Sequence, residues 1–371
     1  LAGLVDGVPP MQVTGVQSDS RKIRRGDLFL ACQGLTHHGL EYLVQVQQQG
    51  AAAVAWEPRP GLAAPLAEIP LIPVKALSVR AGEIAGRYYG APSERLFVTG
   101  ITGTDGKTST AYLLAQAMDA LRQPCGYLGT LGAGRIGTLR GGEHTTPDPV
   151  AVHAQLAEFA DQQLVCAAME VSSHALDQAR VAGVSFDVAV LTNLGRDHLD
   201  YHGSMEAYGE AKARLFLREE LHFSVINFDD PFGRQLYGQL EGQCDRVRYS
   251  LHEAQTELWL KEFTPTASGF RARVDGQWGE FDLAVPLLGS FNASNVLAAL
   301  ATVLTLGVPV ERAVSIVREL SPPPGRLERF TGSTGKHVVV DYAHTSDALA
   351  NALEALRPHT RGRLICVFGC G

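Results

Sequence analysis

Residues 96–121 constrain the fold of this chain more than any other stretch. They start with a short apolar, β-prone run and continue into a turn at 99–106 that contains three glycines. Lys107 and Thr108 then open a segment whose apolar residues recur every three or four positions, as in a helix with one buried face. Strand, glycine-rich turn, Lys-Thr and helix make up the phosphate-loop arrangement, in which backbone N–H groups and the helix N-terminus surround phosphate oxygens. The stretch therefore predicts the binding of a nucleoside triphosphate.

The motif differs from the commonest form of the phosphate loop. That form carries a glycine five residues before the glycine of its Gly-Lys pair, and this chain has Ile101 there. Its own version is G-T-D-G-K-T, starting at Gly103. Lys107 is expected to reach the β- and γ-phosphates, and the Thr108 hydroxyl is expected to bind Mg²⁺. An ordinary strand–turn–helix without a ligand is the alternative, which the flanking strand and helix disfavour.

The composition is that of a globular protein with two or three domains. The 371 residues are 45% hydrophobic and 19% charged, and the net charge of -7 leaves no basic footprint for a nucleic acid. The six cysteines are scattered without a C-x-x-C pair, which favours reduced core residues over a disulfide or zinc framework. The longest uncharged apolar helix, at about 296–308, is shorter than the ~20 residues of a membrane span. We expect a cytoplasmic monomer with neither membrane insertion nor a nucleic-acid partner.

Turn chemistry divides the chain into three predicted α/β domains. Residues 1–92 form a small N-terminal domain, 93–321 a central domain, and 322–371 the start of a C-terminal domain. In the central domain strands alternate with helices, which predicts a mainly parallel sheet with an antiparallel excursion at 258–285. In the third, a strand, a helix and a second strand at 364–368 predict a Rossmann-like domain, which we expect to be incomplete.

Polar residues follow two buried strands of the central domain. Glu170 lies near the carboxyl end of the strand at 165–171, and Asn193 and His198 come at and after the end of the strand at 187–193. Ligands of an open parallel sheet bind beyond the carboxyl ends of its strands, so these residues are expected on the same rim as the phosphate loop. A carboxylate there is suited to Mg²⁺; a solvated strand-end acid is the alternative for Glu170.

Two further patterns leave alternatives open. His198 and His202 have the i, i+4 spacing of a zinc pair, but no Glu follows the first histidine. A plain polar loop and a magnesium or substrate site are the other interpretations, and the last is favoured. Ser172, Ser173 and His174 suggest a Ser/His nucleophile, but neighbours in sequence rarely have triad geometry and the G-x-S-x-G elbow is absent. Hydrogen bonding to a substrate is favoured for this segment.

Six motifs occur in matching order along nearly the whole chain: T-G-I-T-G-T-D-G-K-T, M-E-V-S-S-H-A-L, T-N-L-G-R-D-H-L-D-Y-H-G, Y-G-E-A-K-A-R-L-F, G-S-F-N-A-S-N-V and D-Y-A-H-T. As a set they resemble the Mur ligases, which build the peptidoglycan peptide. The resemblance implies an ATP- and Mg²⁺-dependent ligase that adds an amino acid, expected to be a diamino acid, to UDP-N-acetylmuramoyl-L-alanyl-D-glutamate (UDP-MurNAc-dipeptide). The γ-phosphate would pass to the substrate carboxylate, and an amine would attack the acyl phosphate. Such transfer between anionic groups requires metal ions and a phosphate-loop lysine to neutralise charge.

The resemblance also implies roles for individual residues. The implied catalytic residues are Lys107, Glu170, His198 and Lys212; Thr108 and Glu170 would bind one Mg²⁺, and His198 with a carbamylated Lys212 the second. The nucleotide would contact Gly103, Thr104, Asp105, Gly106, Lys107, Thr108, Ser109, Asn295, Arg326, Asp341 and His344. The uridine end of the substrate would meet Ser18, Ser20, Leu35, Thr36 and His37, and the sugar and peptide His144, Thr145, Thr146, Ser172, Gln178 and Arg180.

Three positions depart from the family pattern. Asp105 stands where Asn is usual, His144 where Asn commonly precedes the Thr pair, and Ser346 where Pro usually follows D-Y-A-H-T. A sibling ligase, such as the D-alanyl-D-alanine adder or folylpolyglutamate synthase, is the near alternative, against which D-H-L-D-Y-H-G and S-D-S-R argue. A nucleotide-dependent switch or binding module is the alternative from another class; for GTP it would carry an N-K-x-D motif, which is absent. The amino acid added stays open, because the family makes that choice in the third domain.

Overall fold

A computed structural model describes residues 1, 3–5, 8, 10–34, 36–142, 144–333, 336–344 and 346–369. Up to residue 96, short strands alternate with helices. These elements are β1 (Gly15–Gln17), β2 (Asp27–Ala31), α1 (Leu43–Gln48), β3 (Ala53–Trp56), β4 (Leu71–Pro73) and α2 (Leu77–Tyr88), with 3₁₀ helices at Ser20–Lys22, Gly39–Tyr42 and Pro92–Arg95.

Longer helices and strands alternate through the middle of the chain. They are β5 (Phe97–Thr102), α3 (Lys107–Ala120), β6 (Cys125–Gly129), β7 (Gly132–Gly134), α4 (Pro149–Asp161), β8 (Cys166–Glu170), α5 (Ser173–Asp177), β9 (Val188–Leu191), α6 (Leu199–His202), α7 (Met205–Ala213), β10 (Phe223–Asn227), α8 (Pro231–Gln239) and β11 (Asp245–Ser250). After these come β12 (Leu258–Thr266), β13 (Gly269–Gly276), β14 (Phe281–Val285), α9 (Ser290–Thr305), α10 (Val310–Val317), β15 (Glu328–Thr331), β16 (His337–Val340) and α11 (Ser346–Leu356), followed by a 3₁₀ helix at Arg357–His359.

The chain divides into two compact units. The first comprises Leu1–Leu96, Thr146–Gln163 and His174–Ser185, and the second comprises Phe97–Thr145, Leu164–Ser173 and Phe186–Gly371. Helix α4 therefore belongs to the first unit although it lies between strands of the second in the sequence. The three domain boundaries given above stay a prediction.

The first unit is built on a parallel sheet in the order β1-β2-β3-β4. Side chains alternate along a strand, so β2 buries Leu28 and Leu30 with α2 on one face and Phe29 and Ala31 with α1 on the other. The apolar run that follows Asp27 in β2 is what a parallel sheet covered on both faces requires.

The second unit contains a ten-stranded sheet in the order β14-β13-β12-β11-β10-β9-β5-β8-β6-β7. The strands from β12 to β6 are parallel to one another, while β13 and β14 at one edge and β7 at the other are antiparallel. The predicted mixed α/β fold, the mainly parallel sheet and the antiparallel excursion are therefore confirmed. Helices α3 and α9 pack against each other over its core.

The strand order determines what meets at the carboxyl edge of this sheet. Strand β5 lies between β8 and β9, so its carboxyl end, which leads into the phosphate loop, is flanked by the ends of two other strands. Those ends carry Glu170 and the pair Thr192 and Asn193. The expectation that these polar residues share a rim with the loop follows from this arrangement.

The prediction of a strand at 364–368 is wrong. This segment has no strand conformation, and Ile365, Val367 and Phe368 are exposed. The sequence pattern is suited to a buried strand, but a strand is completed only by pairing with a neighbour, and none of the described residues pairs with this one. The preceding elements of the predicted third domain are present as β16 and α11.

Across the described residues, none of the helices has both the length and the apolar character needed to cross a membrane.

Candidate active site

The phosphate loop connects β5 to the N-terminus of α3. Gly103 and Gly106 have φ values of +151° and +81°, conformations that glycine adopts readily and other residues rarely. Among the described side chains, none caps the N-terminus of α3, so the N–H groups of its first turn lack intrahelical partners. An uncapped helix start with a partial positive charge is suited to binding a phosphate group.

The segment that follows β9 holds the tip of the loop. Asn193 Oδ1 accepts the backbone N–H groups of Thr104 and Asp105 at 3.2 and 2.9 Å. Thr192 Oγ1 donates to Asp105 O at 2.6 Å. The Thr104 hydroxyl is 3.1 Å from the hydroxyl of Tyr208 on α7. The loop is therefore shaped by residues 87 to 104 positions away in the sequence, and the Asp105 side chain is left exposed.

Two lysines converge on one backbone oxygen of the loop. Lys107 Nζ donates to Gly103 O at 2.9 Å and to Thr104 O at 2.8 Å. Lys212 Nζ, from α7, donates to the same Gly103 O at 2.7 Å. Lys212 is 1% exposed, and its Nζ lies 4.4 Å from the centre of the Tyr208 ring. Both amines are thus brought to the place where a phosphate would bind.

The surroundings of the two lysines favour the neutral amine at Lys212. Burial, and next the charge of Lys107, lower the pKa of the Lys212 amine well below its ordinary value, against the opposing charges of Asp197 and Asp105. Burial also lowers the pKa of Lys107, an effect that the Glu170 carboxylate opposes most. A neutral amine is the form that can react with CO₂ to give a carbamate.

Glu170 is fully buried and is surrounded by hydroxyl and amide donors. Its Oε2 accepts hydrogen bonds from Thr108 Oγ1 at 2.9 Å and from Thr130 Oγ1 at 3.2 Å. Its Oε1 accepts hydrogen bonds from the backbone N–H of Thr130 at 2.9 Å and from the Tyr127 hydroxyl. The two residues predicted to share the first Mg²⁺ are therefore in direct contact.

These residues fit a magnesium ion. Thr108 and Glu170 offer the oxygen atoms that Mg²⁺ prefers, beside a helix start that would bring phosphate oxygens to the same place. Within the described residues there is no group of three or more His, Cys, Asp and Glu placed to hold a metal ion. A second ion at His198 and Lys212 therefore depends on an additional oxygen ligand, such as a carbamate on Lys212.

His198 and His202 pack on the same tyrosine but have different polar neighbours. Their ring centres lie 6.1 and 5.1 Å from that of Tyr208. His198 Nε2 is 3.3 Å from Asp197 Oδ2, and its side chain is 47% exposed. His202 Nε2 is 3.0 Å from Ser173 Oγ. Among the described residues the two histidines are not part of any group of three or more metal-ligating side chains, which does not favour the zinc alternative. Ser173 is engaged by a histidine remote in sequence rather than by a triad of its neighbours.

The residues expected to contact the nucleotide fall into two groups. Ser109 and Asn295 are buried beside the loop, where Asn295 Oδ1 accepts a hydrogen bond from Thr110 Oγ1 at 3.4 Å. Arg326 lies 4.5 Å from the ring centre of Tyr342, and its charge contributes to the lowered pKa of Lys107. The carboxylate of Asp341 accepts the N–H groups of Leu327 and Ala343 at 2.9 Å each, and His344 Nδ1 donates to Tyr342 O at 3.0 Å. Asp341 and His344 thus have local partners, whereas the charge of Arg326 acts on the loop.

The first unit contains most of the residues expected to contact the substrate. Ser18 Oγ donates to Asp148 Oδ1 at 2.8 Å, and the same carboxylate oxygen caps α4. Arg180 donates to Gln178 Oε1 and to Thr146 O, the latter at 2.9 Å. Ser20 is buried, Thr36 and His37 are exposed, and Leu35 lies outside the described residues.

Three expected substrate residues belong to the second unit. Thr145 Oγ1 lies 3.0 Å from Thr130 Oγ1. Ser172 is half-buried, and His144 is exposed. Thr130 therefore touches both the buried carboxylate of Glu170 and a threonine expected to hold the substrate.

Sequence reasoning missed four residues at this site. Tyr127 and Thr130 hold Glu170, Thr192 holds the loop, and Asp148 joins Ser18 to α4. For Asp148 the signal was available, because an Asp directly before a proline that starts a helix is a typical N-cap. For Tyr127 the signal was absent, because it lies within an apolar strand pattern.

Known families match the chain in three segments. Residues 12–89 match the family described as "Mur ligase family, catalytic domain", residues 101–303 the "Mur ligase middle domain", and residues 325–371 the "Mur ligase, glutamate ligase domain". The UDP-N-acetylmuramoyl-L-alanyl-D-glutamate–2,6-diaminopimelate ligase of Pseudomonas aeruginosa is 50% identical over 353 residues, which cover 95% of this chain and 72% of that protein. The chain belongs to the Mur ligase family.

Solved structures agree with that membership. A UDP-N-acetylmuramoyl-L-alanyl-D-glutamate–2,6-diaminopimelate ligase structure is 34% identical with a TM-score of 0.83, and the match covers 97% of this chain and 73% of that one. MurF from Acinetobacter baumannii, at 22% identity and a TM-score of 0.71 over 95% and 72% of the two chains, shares the fold. The predicted Mur ligase family, α/β fold and ligase activity are confirmed. The predicted cofactors, ATP and Mg²⁺, are those of this family.

Proposed function

We propose that this Mur ligase joins 2,6-diaminopimelate to the D-glutamate of UDP-MurNAc-dipeptide, at the expense of ATP, in peptidoglycan synthesis. The observation that carries the chemistry is the contact between Thr108 Oγ1 and the buried carboxylate of Glu170, next to two lysines that donate to the phosphate loop. The substrates are those in the names of relatives to which the chain is about half identical. A sibling substrate has weaker support, since MurF is 22% identical.

The residues of the loop account for phosphoryl transfer. The N-terminus of α3 binds the phosphates, and Lys107 leaves Gly103 O and Thr104 O to donate to the β- and γ-phosphates. Thr108 and Glu170 would hold a Mg²⁺ ion, which supplies charge stabilisation to the transferring group. The D-glutamate carboxylate attacks the γ-phosphorus, ADP leaves, and the resulting acyl phosphate is attacked by the amine with release of phosphate.

The remaining assignments belong to the same proposal. Residues 1–92 bind the uridine nucleotide, 93–321 bind ATP and carry out the chemistry, and 322–371 bring Arg326, Asp341 and His344 to the nucleotide. Lys212, as a carbamate, and His198 would hold a second Mg²⁺. The sugar and the peptide would be contacted by His144, Thr145, Thr146, Ser172, Gln178 and Arg180. We place the protein in the cytoplasm as a monomer; the five cysteines of the described residues are all unpaired, as in a reducing compartment.

One assay of the full-length protein tests the function. Phosphate release is followed with ATP, Mg²⁺ and UDP-MurNAc-dipeptide, and a panel of diamino acids is added one at a time. Release that requires both the dipeptide and 2,6-diaminopimelate supports the proposal. Release that is independent of any amino acid would point instead to a nucleotide-dependent switch, and release with D-alanyl-D-alanine to the sibling ligase.

A further inference from the structure

Strands β6 and β8 bring a tyrosine hydroxyl to the candidate metal carboxylate. Their parallel register pairs Tyr127 with Ala168 and Leu128 with Met169, and continuing it by one residue places Gly129 beside Glu170. Tyr127 and Gly129 lie on one face of β6 because side chains alternate along a strand. Ala168 is small and Gly129 has no side chain, so the Tyr127 ring can extend along this face.

The Tyr127 hydroxyl and the Glu170 carboxylate fill the space next to the Cα of Gly129. A Cβ added at Gly129 would lie 2.6 Å from Tyr127 Oη and 2.7 Å from Glu170 Cδ, too close for either group to stay in place. The Tyr127 hydroxyl donates to Glu170 Oε1 there.

The two oxygens of Glu170 have different sets of neighbours. Oε1 faces the hydroxyl of Tyr127, which lies in β6, and the backbone N–H of Thr130, the residue that follows β6. Oε2 faces the hydroxyls of Thr108 and Thr130. The Oε1 side is therefore anchored to the sheet, and the Oε2 side looks toward the first turn of α3, where phosphate would bind.

The geometry points to Tyr127 as a positioning residue that anchors Glu170 Oε1 and so presents Oε2 to the metal, an inference that rests on the proposed Mg²⁺ site. Groups that hydrogen-bond to a metal ligand fix its orientation and strengthen metal binding, and removing them typically costs ~10–100-fold in affinity. Tyr127 itself would not touch the metal or the substrate.

Metal binding by the full-length protein tests this inference without relying on turnover. Mn²⁺ replaces Mg²⁺, and the free ion is measured by electron paramagnetic resonance in the presence of a non-hydrolysable ATP analogue. Tyr127→Phe keeps the ring and removes the hydroxyl, and we expect it to weaken Mn²⁺ binding by ~10–100-fold. Tyr112→Phe is the matched control. Its ring meets that of Tyr127 edge-on with centres 6.1 Å apart, but its hydroxyl is not among the donors to Glu170, so binding should stay at the parent value.

Activity separates positioning from general damage to the structure. For Tyr127→Phe, raising the Mg²⁺ concentration should restore most of kcat, while KM for UDP-MurNAc-dipeptide stays unchanged. Because Tyr127 is fully buried, melting curves accompany each variant. If Tyr127→Phe does not fold, Gly129→Ala provides a second route, since its added Cβ would displace both the hydroxyl and the carboxylate, and the same loss of Mn²⁺ affinity is expected.

Glu170→Gln distinguishes a failure of this inference from a failure of the metal site. If Glu170→Gln loses Mn²⁺ affinity while folded Tyr127→Phe keeps the parent value, Tyr127 is not a positioning residue and the metal site stands. If Glu170→Gln also binds Mn²⁺ like the parent, the metal assignment fails and the role of Tyr127 falls with it. Loss in Tyr127→Phe and Glu170→Gln but not in Tyr112→Phe supports both.

Discussion

Gly103 O accepts hydrogen bonds from two lysine amines, and the roles proposed for those lysines differ. Lys107 is half-buried, and within the described part of the chain its amine bonds only to carbonyl oxygens of its own loop, which it can exchange for phosphate oxygens. Lys212 is almost completely buried and belongs to a helix remote in the sequence. We therefore expect the first to act by its charge and the second by the chemistry of its neutral amine.

Lys107→Ala should lower kcat of the full-length enzyme by ~10²-fold or more. Negative charge on the γ-phosphoryl oxygens shifts as the bond to ADP breaks, so a positioned cation acts more strongly in the transition state than in the ground state. Steady-state kinetics with ATP varied measures this effect. Lys261→Ala, which removes an exposed lysine of β12 paired with Glu280, is the control and should leave kcat unchanged. An altered KM with an unchanged kcat in Lys107→Ala would contradict the role.

Lys212→Ala should abolish ligase activity, and a small carboxylate such as formate should partly restore it. The reason is that the proposed carbamate supplies an anionic oxygen ligand for Mg²⁺, which added carboxylate can imitate in the space left by the side chain. Lys212→Arg keeps a positive charge but cannot form the carbamate, and it should stay inactive with or without formate. Carbon-13 NMR of the parent in labelled bicarbonate should show a carbamate signal that both variants lack; its absence from the parent would exclude the modification.

The sequence indicated single residues where a local motif or the end of a buried strand marks them. Lys107 and Thr108 follow from the loop motif, and Glu170 follows from its place near the end of a buried strand. Tyr127 lies 43 positions from Glu170 and acquires its role only through the pairing of β6 with β8. Nothing in the sequence around a tyrosine shows which carboxylate its hydroxyl will meet.

At the scale of elements, the turn between β5 and α3 depends on glycine for two reasons. Gly106 precedes α3 with φ of +81°, and a Cβ there would also collide with Asn295 Oδ1 on α9. The first is a cost in backbone conformation, and the second is a cost in packing between the loop and a neighbouring helix. Both costs would arise at Gly106, the residue directly before the first N–H groups of α3.

Gly106→Ala should destabilise the full-length protein by ~1–3 kcal/mol and weaken ATP binding. The left-handed backbone alone costs an alanine ~1–2 kcal/mol, and the collision with Asn295 adds to it. Gly238→Ala is the matched control, because Gly238 lies in α8 with nothing within 4 Å of the added Cβ. Alanine in a helix stabilises by up to ~0.5–1 kcal/mol relative to glycine. Urea midpoints and calorimetric titration with ATP measure both, and equal shifts in the two variants would contradict the prediction.

The elements themselves were predicted well where the apolar pattern is clear. The helix expected after the phosphate loop is present as α3, and β12, β13 and β14 form the expected antiparallel excursion. The segment at 364–368 has equally strong strand character but is not a strand, because strand formation is decided by a partner that local sequence does not specify. A helix carries its own hydrogen bonds, and a strand does not.

At the scale of the whole molecule, the sequence indicated the fold class but not the division into units. Alternating strands and helices with motifs in Mur ligase order were enough to predict the α/β fold. The grouping of α4 and of His174–Ser185 with the N-terminal sheet was not predicted. Neither segment carries a local signal for it, because such a grouping depends on which apolar faces meet after the chain has folded.

That grouping buries a histidine in the first unit. His153, on α4, is fully buried; its Nε2 donates to Ala182 O at 2.9 Å, and its Nδ1 is buried with no hydrogen-bond partner among the described residues. The ring also lies where a Cβ on Gly86 would touch it, which ties α4 closely to α2. Burial lowers the pKa of His153 below its ordinary value of 6.5, although the bond to Ala182 opposes the shift. The folded chain therefore holds this imidazole in its neutral form.

The lowered pKa of His153 should make the protein less stable in mild acid. Above pH 6.5 both the folded and the unfolded chain hold the imidazole neutral; as the pH falls below 6.5, the unfolded chain takes up a proton that the folded chain does not, and stability declines until the folded pKa is passed. His153→Gln removes the titrating group and can still donate to Ala182 O. Calorimetric melting temperatures at about pH 7.5 and about pH 5.5 should then fall less in His153→Gln than in the parent. His252→Gln, which removes an exposed imidazole, is the control and should fall as much as the parent. An equal fall in all three proteins would show that His153 does not contribute to the acid sensitivity.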